Sequence, residues 1–594
     1  MNEQDLLEPE KLYRFELKEK HHNNVVSYFD ELVKESNINI EENNLTCDKV
    51  YSKSVEKETF ENKLGKTRFV KFLGIFSIIL GAIGLLVAAI SFYSNEILVG
   101  VLSIVVGLMM ITGGILLLVL IVRPKQKLIN EKIDKLNKEI KELTNLAWSQ
   151  VDPLNQLFDE TMPAMLFNKS VPLIKMDRIF DTKKLEFLVK VYDFNQGNRD
   201  NVSTLNIQSG TILGNPFAFF KDYRMMIVPH RYEGTLVITY QVRHYGKNGT
   251  YYTTHTQTLH AYVTKPRPEY STNTYLIYGN EAAPNLSFSR SHSNINSMSE
   301  KEIEKYVAKH EKDLRKMAEK EMKSGGQYTP LGNAEFELFF GGLNRDHEVE
   351  YRLLFTPLAQ KSMLTLLKSK EGYGDDFTFV KNKKINIINS LHNYGDALFV
   401  NRKTFFDFDY RNIKDKFIEY NDNYFKAVYF DFAPLLSIPL YQQHKAQEYI
   451  YKGTIPSNFT SYEHEIVSNK YDVHEFIDPR SSTDAILKTS IISKKGENDI
   501  VQVSGHTFQA FKEVEYVPTL GGDGRMHSVP VVWYRYEPLV KTTNIVVGDS
   551  KASLREYQKL GNKDVIFSRG LVSYNQEQPL NISIKELKEK MAKK

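Results

Sequence analysis

Residues 72–93 read FLGIFSIILGAIGLLVAAISFY, and residues 97–122 read ILVGVLSIVVGLMMITGGILLLVLIV. Neither stretch contains a charged side chain, and each exceeds the roughly 20 residues that an α-helix needs to cross hydrocarbon. Only Ser94, Asn95 and Glu96 separate them, so the two helices must return antiparallel as a hairpin. The pattern predicts a two-pass membrane segment, with the lipid bilayer as the first partner of the chain.

Basic residues lie at the two outer ends of this hairpin and are missing from its connecting turn. They are Lys63, Lys66, Arg68 and Lys71 before it and Arg123, Lys125 and Lys127 after it. Because the connecting turn has no Lys or Arg, the positive-inside rule predicts a multi-pass protein of the cell membrane with both termini in the cytoplasm.

Glycines recur along both predicted helices, mostly at a spacing of seven. They are Gly74, Gly81 and Gly84 in the first and Gly100, Gly107 and Gly114 in the second. Small residues on one helix face let backbones approach closely in lipid. The pattern favours packing inside the hairpin, with packing between copies of the chain as the alternative. Neither helix contains Asp, Glu, His, Lys or Arg, so the sequence does not support an ion or proton pathway.

The segment after the hairpin predicts a coiled-coil-like stalk. Its apolar seam consists of Ile129, Ile133, Leu136, Ile140, Leu143 and Ala147. This alternating spacing of four and three residues is typical of an a/d seam. The stalk is expected to pair with another chain or with the N-terminal 60 residues, or to be a single amphipathic helix lying on the body.

The composition describes a globular chain of several domains. It has 594 residues, 42% hydrophobic and 25% charged, which is enough for two or three domains outside the membrane. A net charge of +4 is too small to suggest a nucleic-acid partner. A single cysteine, Cys47, excludes an intramolecular disulfide.

Beyond residue 150 the pattern changes to strands. Runs rich in Val, Thr, Tyr and Phe predict strands at 185–192, 235–244 and 250–264, with more strands between 334 and 400. Gly246-Lys-Asn-Gly249 predicts a hairpin turn between the second and third of these strands.

Two helix starts are predicted within this region. Ser299 with Glu302 forms a capping box. Thr356 followed by Pro357 predicts the start of a helix over 358–367.

A short motif occurs twice and indicates two related β units in tandem. It comprises Gly214, Phe217, Phe220 and Lys221, and again Gly505, Phe508, Phe511 and Lys512. We therefore expect a membrane α-helical hairpin with α+β, β-rich cytoplasmic domains. The predicted regions are a helical region over 1–70, the hairpin over 72–122, the stalk over 123–150, and β-rich domains over 151–420 and 421–594.

The middle of the chain resembles a known family. Residues 333–340 read NAEFELFF, residues 348–357 read EVEYRLLFTP, and strands are expected around 377–379 and 385–387. These segments, with the region that begins at Gly214, are similar to an uncharacterised bacterial family of two-pass membrane proteins whose cytoplasmic domain has no known function. Long versions occur in wall-less low-GC bacteria. The resemblance covers residues 60–400 and implies no activity.

Possible chemical sites are few. Gly65-Lys66-Thr67 imitates the end of a phosphate loop, but Phe60 occupies the position that must be glycine. Asp407 and Asp409 have the spacing of a metal-binding acid pair, but the favoured explanation is an ordinary strand with one solvated face.

The histidines are not arranged as metal ligands. His255 and His260 are five residues apart on one strand and therefore point to opposite faces. His464, Glu465 and His474 lack the spacing of a zinc-binding helix. No catalytic residue, metal ligand or cofactor is assigned.

The C-terminal tail is basic, which suits either a solvated tail or contact with anionic lipid. Its lysines are Lys585, Lys588, Lys590, Lys593 and Lys594. Taken together, the sequence favours a membrane-anchored scaffold or binding module with protein partners and a possible homo-oligomeric state. The alternatives are a membrane-tethered enzyme with a carboxylate site that includes Asp407 and Asp409, and an accessory subunit of a transporter or channel.

Overall fold

The computed structural model describes residues 7–93, 97–178, 180–195, 197, 199–246, 249–326, 328–393, 402–446, 450, 460–495, 498–549, 565–568 and 571–575. The chain forms two compact units. The helical unit comprises 27–158 and 402–419, and the β-rich unit comprises 1–26, 159–401 and 420–594. The C-terminal lysines of the basic tail lie outside the described residues.

The N-terminal part of the chain is mostly helical. It contains the single turn α1 (Pro9–Leu12) and the longer helices α2 (Lys18–Ser36), α3 (Ile40–Tyr93), α4 (Ile97–Leu116) and α5 (Arg123–Asn155). A π-helical turn, Leu117–Val122, joins α4 to α5 without a break. In the helical unit α3 packs against both α4 and α5. The two helices that contain 72–93 and 100–122 are long and apolar enough to cross a membrane.

The β-rich unit holds a seven-stranded antiparallel sheet in the order β1-β2-β3-β4-β7-β6-β5. Its strands are β1 (Ile174–Met176), β2 (Val202–Ile212), β3 (Asn215–Gly246), β4 (Gly249–Gly279), β5 (Ser287–Arg290), β6 (Phe377–Asn382) and β7 (Ile385–Ser390). Aromatic and β-branched residues dominate β3 and β4, which suits the pleated surface of a sheet.

A second antiparallel sheet in the same unit has five strands in the order β11-β12-β10-β9-β8. Its strands are β8 (Ile486–Lys495), β9 (Asn498–Leu520), β10 (Met526–Asp549), β11 (Val565–Ser568) and β12 (Leu571–Asn575). The predicted combination of a helical hairpin with a β-rich body is confirmed at this level.

Helices cover the first sheet and supply much of the core. They are α6 (Met162–Ser170), α7 (Thr182–Lys190), α8 (Glu300–Lys323), α9 (Ala334–Phe340), α10 (Glu348–Leu354), α11 (Pro357–Leu367), α12 (Tyr410–Leu436) and α13 (Ser461–Ser468). The ring of Phe432 on α12 lies 4.9 and 5.3 Å from the rings of Phe217 and Phe219 on β3. Position 420, where the sequence suggested a domain boundary, lies inside α12.

The strand predicted at 185–192 is wrong, because these residues lie mostly in helix α7. The side chain of Asp181 caps this helix by accepting a hydrogen bond from the Lys183 N–H at 3.1 Å. Leu185 and Leu188, three residues apart, are both buried. Their spacing matches one face of a helix better than one face of a strand.

The prediction of strands between residues 334 and 400 is wrong for two segments, because 334–340 and 348–354 are helices α9 and α10. Among the described residues of this stretch, β6 and β7 are the strands. Asn333 caps α9 by accepting the Phe336 N–H at 3.1 Å. The alternating acidic and aromatic letters of this segment imitate a strand, but the cap fixes a helix.

Three local predictions are confirmed. Strands β3 and β4 pair up to Gly246 and Gly249, on either side of the predicted turn. Ser299 and Glu302 form the capping box of α8. Thr356 caps α11, with Pro357 in its first position.

Candidate binding surface on two long hairpins

One hairpin of the β-rich unit extends well beyond the strands that flank it. β2 pairs with β3 only as far as Arg224, and β7 pairs with β4 only from Leu276. Residues 225–246 and 249–270 therefore form a two-stranded ribbon, here called the first arm. At about 3.3 Å per residue, its β3 strand is roughly 70 Å long.

A second hairpin behaves in the same way. β8 accompanies β9 only to His506, and β12 accompanies β10 only from Ile545. Residues 507–520 and 526–539 form a shorter two-stranded ribbon, here called the second arm. A ribbon of two strands is marginally stable by itself in water, so each arm needs a surface to pack on.

The two arms supply that surface to each other. Their shared core consists of Ile238, Leu259, Ala261 and Val263 from the first arm and Val529 and Val531 from the second. A Cβ on Gly234 would lie 2.1 Å from the carbonyl oxygen of Pro530, so the close approach requires glycine at this position. The sandwich buries one face of each ribbon.

Polar contacts fix the register between the arms. The Lys265 ammonium lies 2.6 Å from a Glu515 carboxylate oxygen and 4.7 Å from the ring centre of Trp533. Near the turn of the second arm, the Gly522 N–H donates a hydrogen bond to the Gln257 side chain at 2.7 Å.

The opposite faces of both arms remain exposed and carry apolar and aromatic side chains. On the first arm Val237 is 62% exposed, and Tyr262 is exposed on the neighbouring strand. On the second arm Tyr516 is 66% exposed, and Val514 is also exposed. Val514 and Tyr516 are neighbours on one face of β9, and adjoining exposed apolar groups of this kind mark interaction sites.

The tip of the first arm projects past the second. The second arm turns beside Tyr240 and Gln257, since Cβ atoms on Gly521 and Gly522 would meet Ile238, Tyr240 and Gln257. Residues 241–246 and 249–254 therefore lie beyond the sandwich. Exposed tyrosines occupy this tip: Tyr245, Tyr251 and Tyr252.

In the helical unit, the glycines predicted to pack helices lie on the α3–α4 seam. A Cβ on Gly81 would lie 2.7 Å from the Gly107 carbonyl oxygen, and a Cβ on Gly114 would lie 2.8 Å from the Gly74 carbonyl oxygen. Gly84 faces the Gly107 Cα at 3.5 Å. Gly100 is buried in α4.

The stalk seam lies along α5, which packs against α3. Leu136 and Ala147 are buried, and Ile129, Ile133, Ile140 and Leu143 are half-buried between exposed neighbours. The Asn43 amide on α3 donates to the Ala147 carbonyl at 3.3 Å, and the Lys53 ammonium lies 3.0 Å from Glu139. The sequence left the partner of the stalk open. In the structure the stalk packs against α3, which begins in the N-terminal region.

The acid pair Asp407 and Asp409 serves local structure. Asp407 accepts the N–H groups of Phe408 and Asp409 and pairs with Lys416 at 2.6 Å. Asp409 pairs with Arg411 at 2.9 Å. Among the described residues, no group of three His, Cys, Asp or Glu side chains is placed to hold a metal ion.

The remaining candidate side chains do not converge. His255 and His260 lie on β4, opposite Tyr240 and Thr235. His464 Nε2 lies 3.3 Å from Asp499, while the adjacent Glu465 accepts the Thr204 N–H at 2.8 Å and pairs with Lys488. His474 is exposed in a separate turn.

A buried charge cluster was not predicted. His392 Nδ1 lies 2.5 Å from Asp376, its Nε2 lies 3.4 Å from Asp431, and its ring stacks on Tyr373 at 3.8 Å. Burial alone would lower the pKa of His392, but the charges and hydrogen bonds of Asp431 and Asp376 outweigh burial and raise it to about 10. The three residues are scattered along the sequence, so no motif announces them.

The β-rich unit also contains an open cleft of about 490 Å³. It is lined by Tyr13, Arg14, Lys18, Glu19, His21, His22, Asp422, Asn423, Phe425 and Lys426. His22 pairs with Asp422 at 2.8 Å, and Lys18 pairs with Glu371 at 3.5 Å. Burial lowers the pKa of His21, which stacks on Phe425, to about 4. The cleft thus mixes both signs of charge.

Fold and surfaces together define a protein with an apolar helical hairpin and a β-rich body that displays two long arms. Comparison of the chain with protein-family models, with curated proteins and with solved structures gave no significant match.

Proposed function

We propose that this chain is a membrane-anchored binding module of the cell membrane. The apolar hairpin is inserted in the bilayer with both termini in the cytoplasm, and the paired arms present their outward faces to partners. The observation that carries the proposal is the arm pair, whose outer faces expose Val237, Tyr262 and Tyr516.

The chemistry of the hairpin surface supports insertion. Its seam is made of glycine backbone, while large apolar side chains such as Leu86 and Leu98 point outward and are exposed. In water this arrangement would leave apolar area unburied, at roughly 25 cal/mol per Å². In hydrocarbon the same surface is favourable, and close backbone packing drives the helices together.

The edges of the arms support a binding role. Beyond Arg224 on β3 and before Leu276 on β4, the outer backbone groups of the first arm have no paired strand within the part of the chain that the structure describes. Free strand edges beside exposed apolar side chains are the features used in β-strand addition and in side-chain docking.

The arms also support the tandem-unit hypothesis. β2-β3-β4 and β8-β9-β10 are both antiparallel series in which the last two strands extend into an arm. The repeated motif is less regular, because Gly214 precedes β3 whereas Gly505 lies inside β9. We propose a shared topology for the two units, and membership of the two-pass family that residues 60–400 resemble.

The anchor is tested by cysteine labelling in intact cells. Burial raises the pKa of the only native thiol, Cys47, to about 11, so background labelling is low. Asn95→Cys between the helices should react with an impermeant maleimide from outside. Lys301→Cys, on the exposed face of α8, should react only after permeabilisation. The reverse pattern would overturn the predicted orientation.

Binding by the arms is tested with a photo-crosslinking amino acid at Val237 or Tyr516. Met322, which is 74% exposed on α8, is the matched control position. Discrete adducts from the two arm positions and none from position 322 are expected. Equal adducts from all three positions, or none from the arms, would contradict the proposal.

A further inference from the structure

The two arms differ sharply in charge. Between Glu233 and Glu269 the first arm contains no Asp or Glu. The same stretch contains the cations Arg243, Lys247, Lys265 and Arg267 and the histidines His244, His255 and His260. The second arm, by contrast, carries Glu513, Glu515, Asp523 and Glu537 among its cations. Of the two arms, only the first therefore has a long stretch, from Gly234 to Pro268, without an acidic side chain.

The aromatic groups of the tip lie beside this positive charge. The Arg243 guanidinium lies 4.9 Å from the ring centre of Tyr245. On the opposite face His244 stacks on Tyr251 at 5.1 Å. No described ion pair involves Arg243, so its charge faces solvent together with the exposed tyrosines.

We propose that the tip of the first arm binds the surface of an anionic lipid bilayer. Tyrosines are favoured at the headgroup level of a membrane, where one end of the ring is apolar and the other is wet. The exposed Arg243 adds attraction to anionic headgroups. The inference rests on the proposed binding function of the arms and names the partner of one of them.

The exposed aromatic rings make a bilayer the favoured acidic surface, because tyrosine combines an apolar ring with a polar hydroxyl and suits the headgroup level of a membrane. The shape of the tip agrees, because its tyrosines lie on both faces of a projecting ribbon rather than in a groove that would guide a strand.

The test uses the full chain, reconstituted in nanodiscs of phosphatidylcholine. These are mixed with separate vesicles of phosphatidylcholine, or of phosphatidylcholine with phosphatidylglycerol, and co-flotation is measured. The full chain should float with the anionic vesicles, and added salt should weaken the binding.

Three variants separate the tip from other basic segments of the chain. Arg243→Glu should weaken flotation by roughly 25-fold, at about fivefold for each unit of charge changed. Arg243→Lys keeps the charge and should retain flotation. Tyr245→Ser with Tyr252→Ser should also weaken it, whereas Tyr516→Ser on the second arm is the matched control and should not. An unchanged circular dichroism spectrum shows that each variant is folded.

Other outcomes overturn the inference. Equal flotation of all variants would assign the lipid contact to other parts of the chain. Binding of an oligonucleotide that is sensitive to Arg243→Glu, without flotation on anionic vesicles, would instead indicate nucleic-acid binding. Either result leaves the binding-module proposal to its own crosslinking test at Val237, so the two failures are distinguishable.

Discussion

The helical hairpin and the paired arms place their large apolar side chains differently, outward in the hairpin and at the seam in the arms. In the hairpin, glycine backbones such as Gly81 and Gly107 meet at the seam and large apolar side chains point outward. In the arms, apolar side chains such as Ile238 and Val531 meet at the seam, and the outer faces mix threonine, tyrosine and charged groups. Each surface suits a different solvent.

The difference shows where each element obtains its stability. The arms gain free energy by removing apolar surface from water. Inside the bilayer that we propose for it, the hairpin has no such gain between its helices and depends on dispersion between closely packed backbones. Changes to charge, to seam glycines and to outer faces should therefore act differently on the two regions.

Charge should give the largest contrast. The hairpin segments contain no Asp, Glu, His, Lys or Arg, whereas the β-rich unit buries His392 between Asp376 and Asp431. His392→Gln should lower the free energy of unfolding by about 3–5 kcal/mol, because it removes the positive charge that lies between two carboxylates. Urea denaturation of the full chain in mild detergent measures this. A loss below about 1 kcal/mol would contradict the role of the cluster.

The pH dependence of that loss has a definite sign. The pKa of His392 is raised from 6.5 to about 10, so its stabilising contribution is complete below pH 6.5 and disappears as the pH rises towards 10. The difference between wild type and His392→Gln should therefore shrink over this range. The measurement must use the difference between wild type and variant, because burial also lowers the pKa of Lys381 to about 7. The titration of Lys381 changes the free energy of unfolding with the opposite slope. A difference that stays constant between pH 6.5 and pH 10 would contradict the raised pKa of His392.

Overpacking the helical seam should come next. Gly81→Leu places a side chain against the Gly107 backbone and should destabilise the α3–α4 packing by about 2–3 kcal/mol. Gly113→Leu is the matched control, because a Cβ there meets nothing within 4 Å. Titration of both variants with denaturing detergent compares them. Similar midpoints would show that the seam glycines are not needed for close packing.

Substitution at the seam between the arms should cost less stability than substitution at the seam between the helices. Gly234→Ala forces the two ribbons apart at Pro530 and should cost about 1–2 kcal/mol. The fluorescence of Trp533, which lies in the arm pair beside Lys265, should report the separation. Thr235→Val, on the exposed side of the same strand, should leave both stability and fluorescence unchanged.

The outer faces should matter least for stability. Val237→Ser should change the free energy of unfolding by less than about 0.5 kcal/mol, since its side chain is mostly exposed. Its effect should appear in partner binding, as weaker crosslinking from the neighbouring Thr239. A large loss of stability would mean that this face is part of the fold rather than an interaction surface.

Periodicity and turn chemistry predicted the parts of the fold that depend on neighbouring residues. The apolar hairpin, the turn at 246–249 and the Ser299 capping box needed only local signals. The same method failed at 185–192 and at 334–340, where a few apolar letters suit either period and the deciding helix caps are single polar residues, Asp181 and Asn333.

The surfaces proposed for binding were not predicted. The fit of Gly234 against Pro530, and the ion pair of Lys265 with Glu515, join residues far apart in the sequence. The His392 cluster likewise depends on Asp431, on a different element. Such contacts follow from tertiary packing, which no local pattern encodes.

The seam between the arms has a consequence for synthesis on the ribosome. The first arm is complete at residue 270, but its partner strands with Val529 and Val531 emerge much later. At roughly 5–20 residues per second, the inner face of the first arm waits on the order of 15–50 s for its cover. During that interval Leu259, Ala261 and Val263 are open to other nascent strands. Nascent-chain folding thus makes the first arm a natural client for a chaperone that shields strand edges.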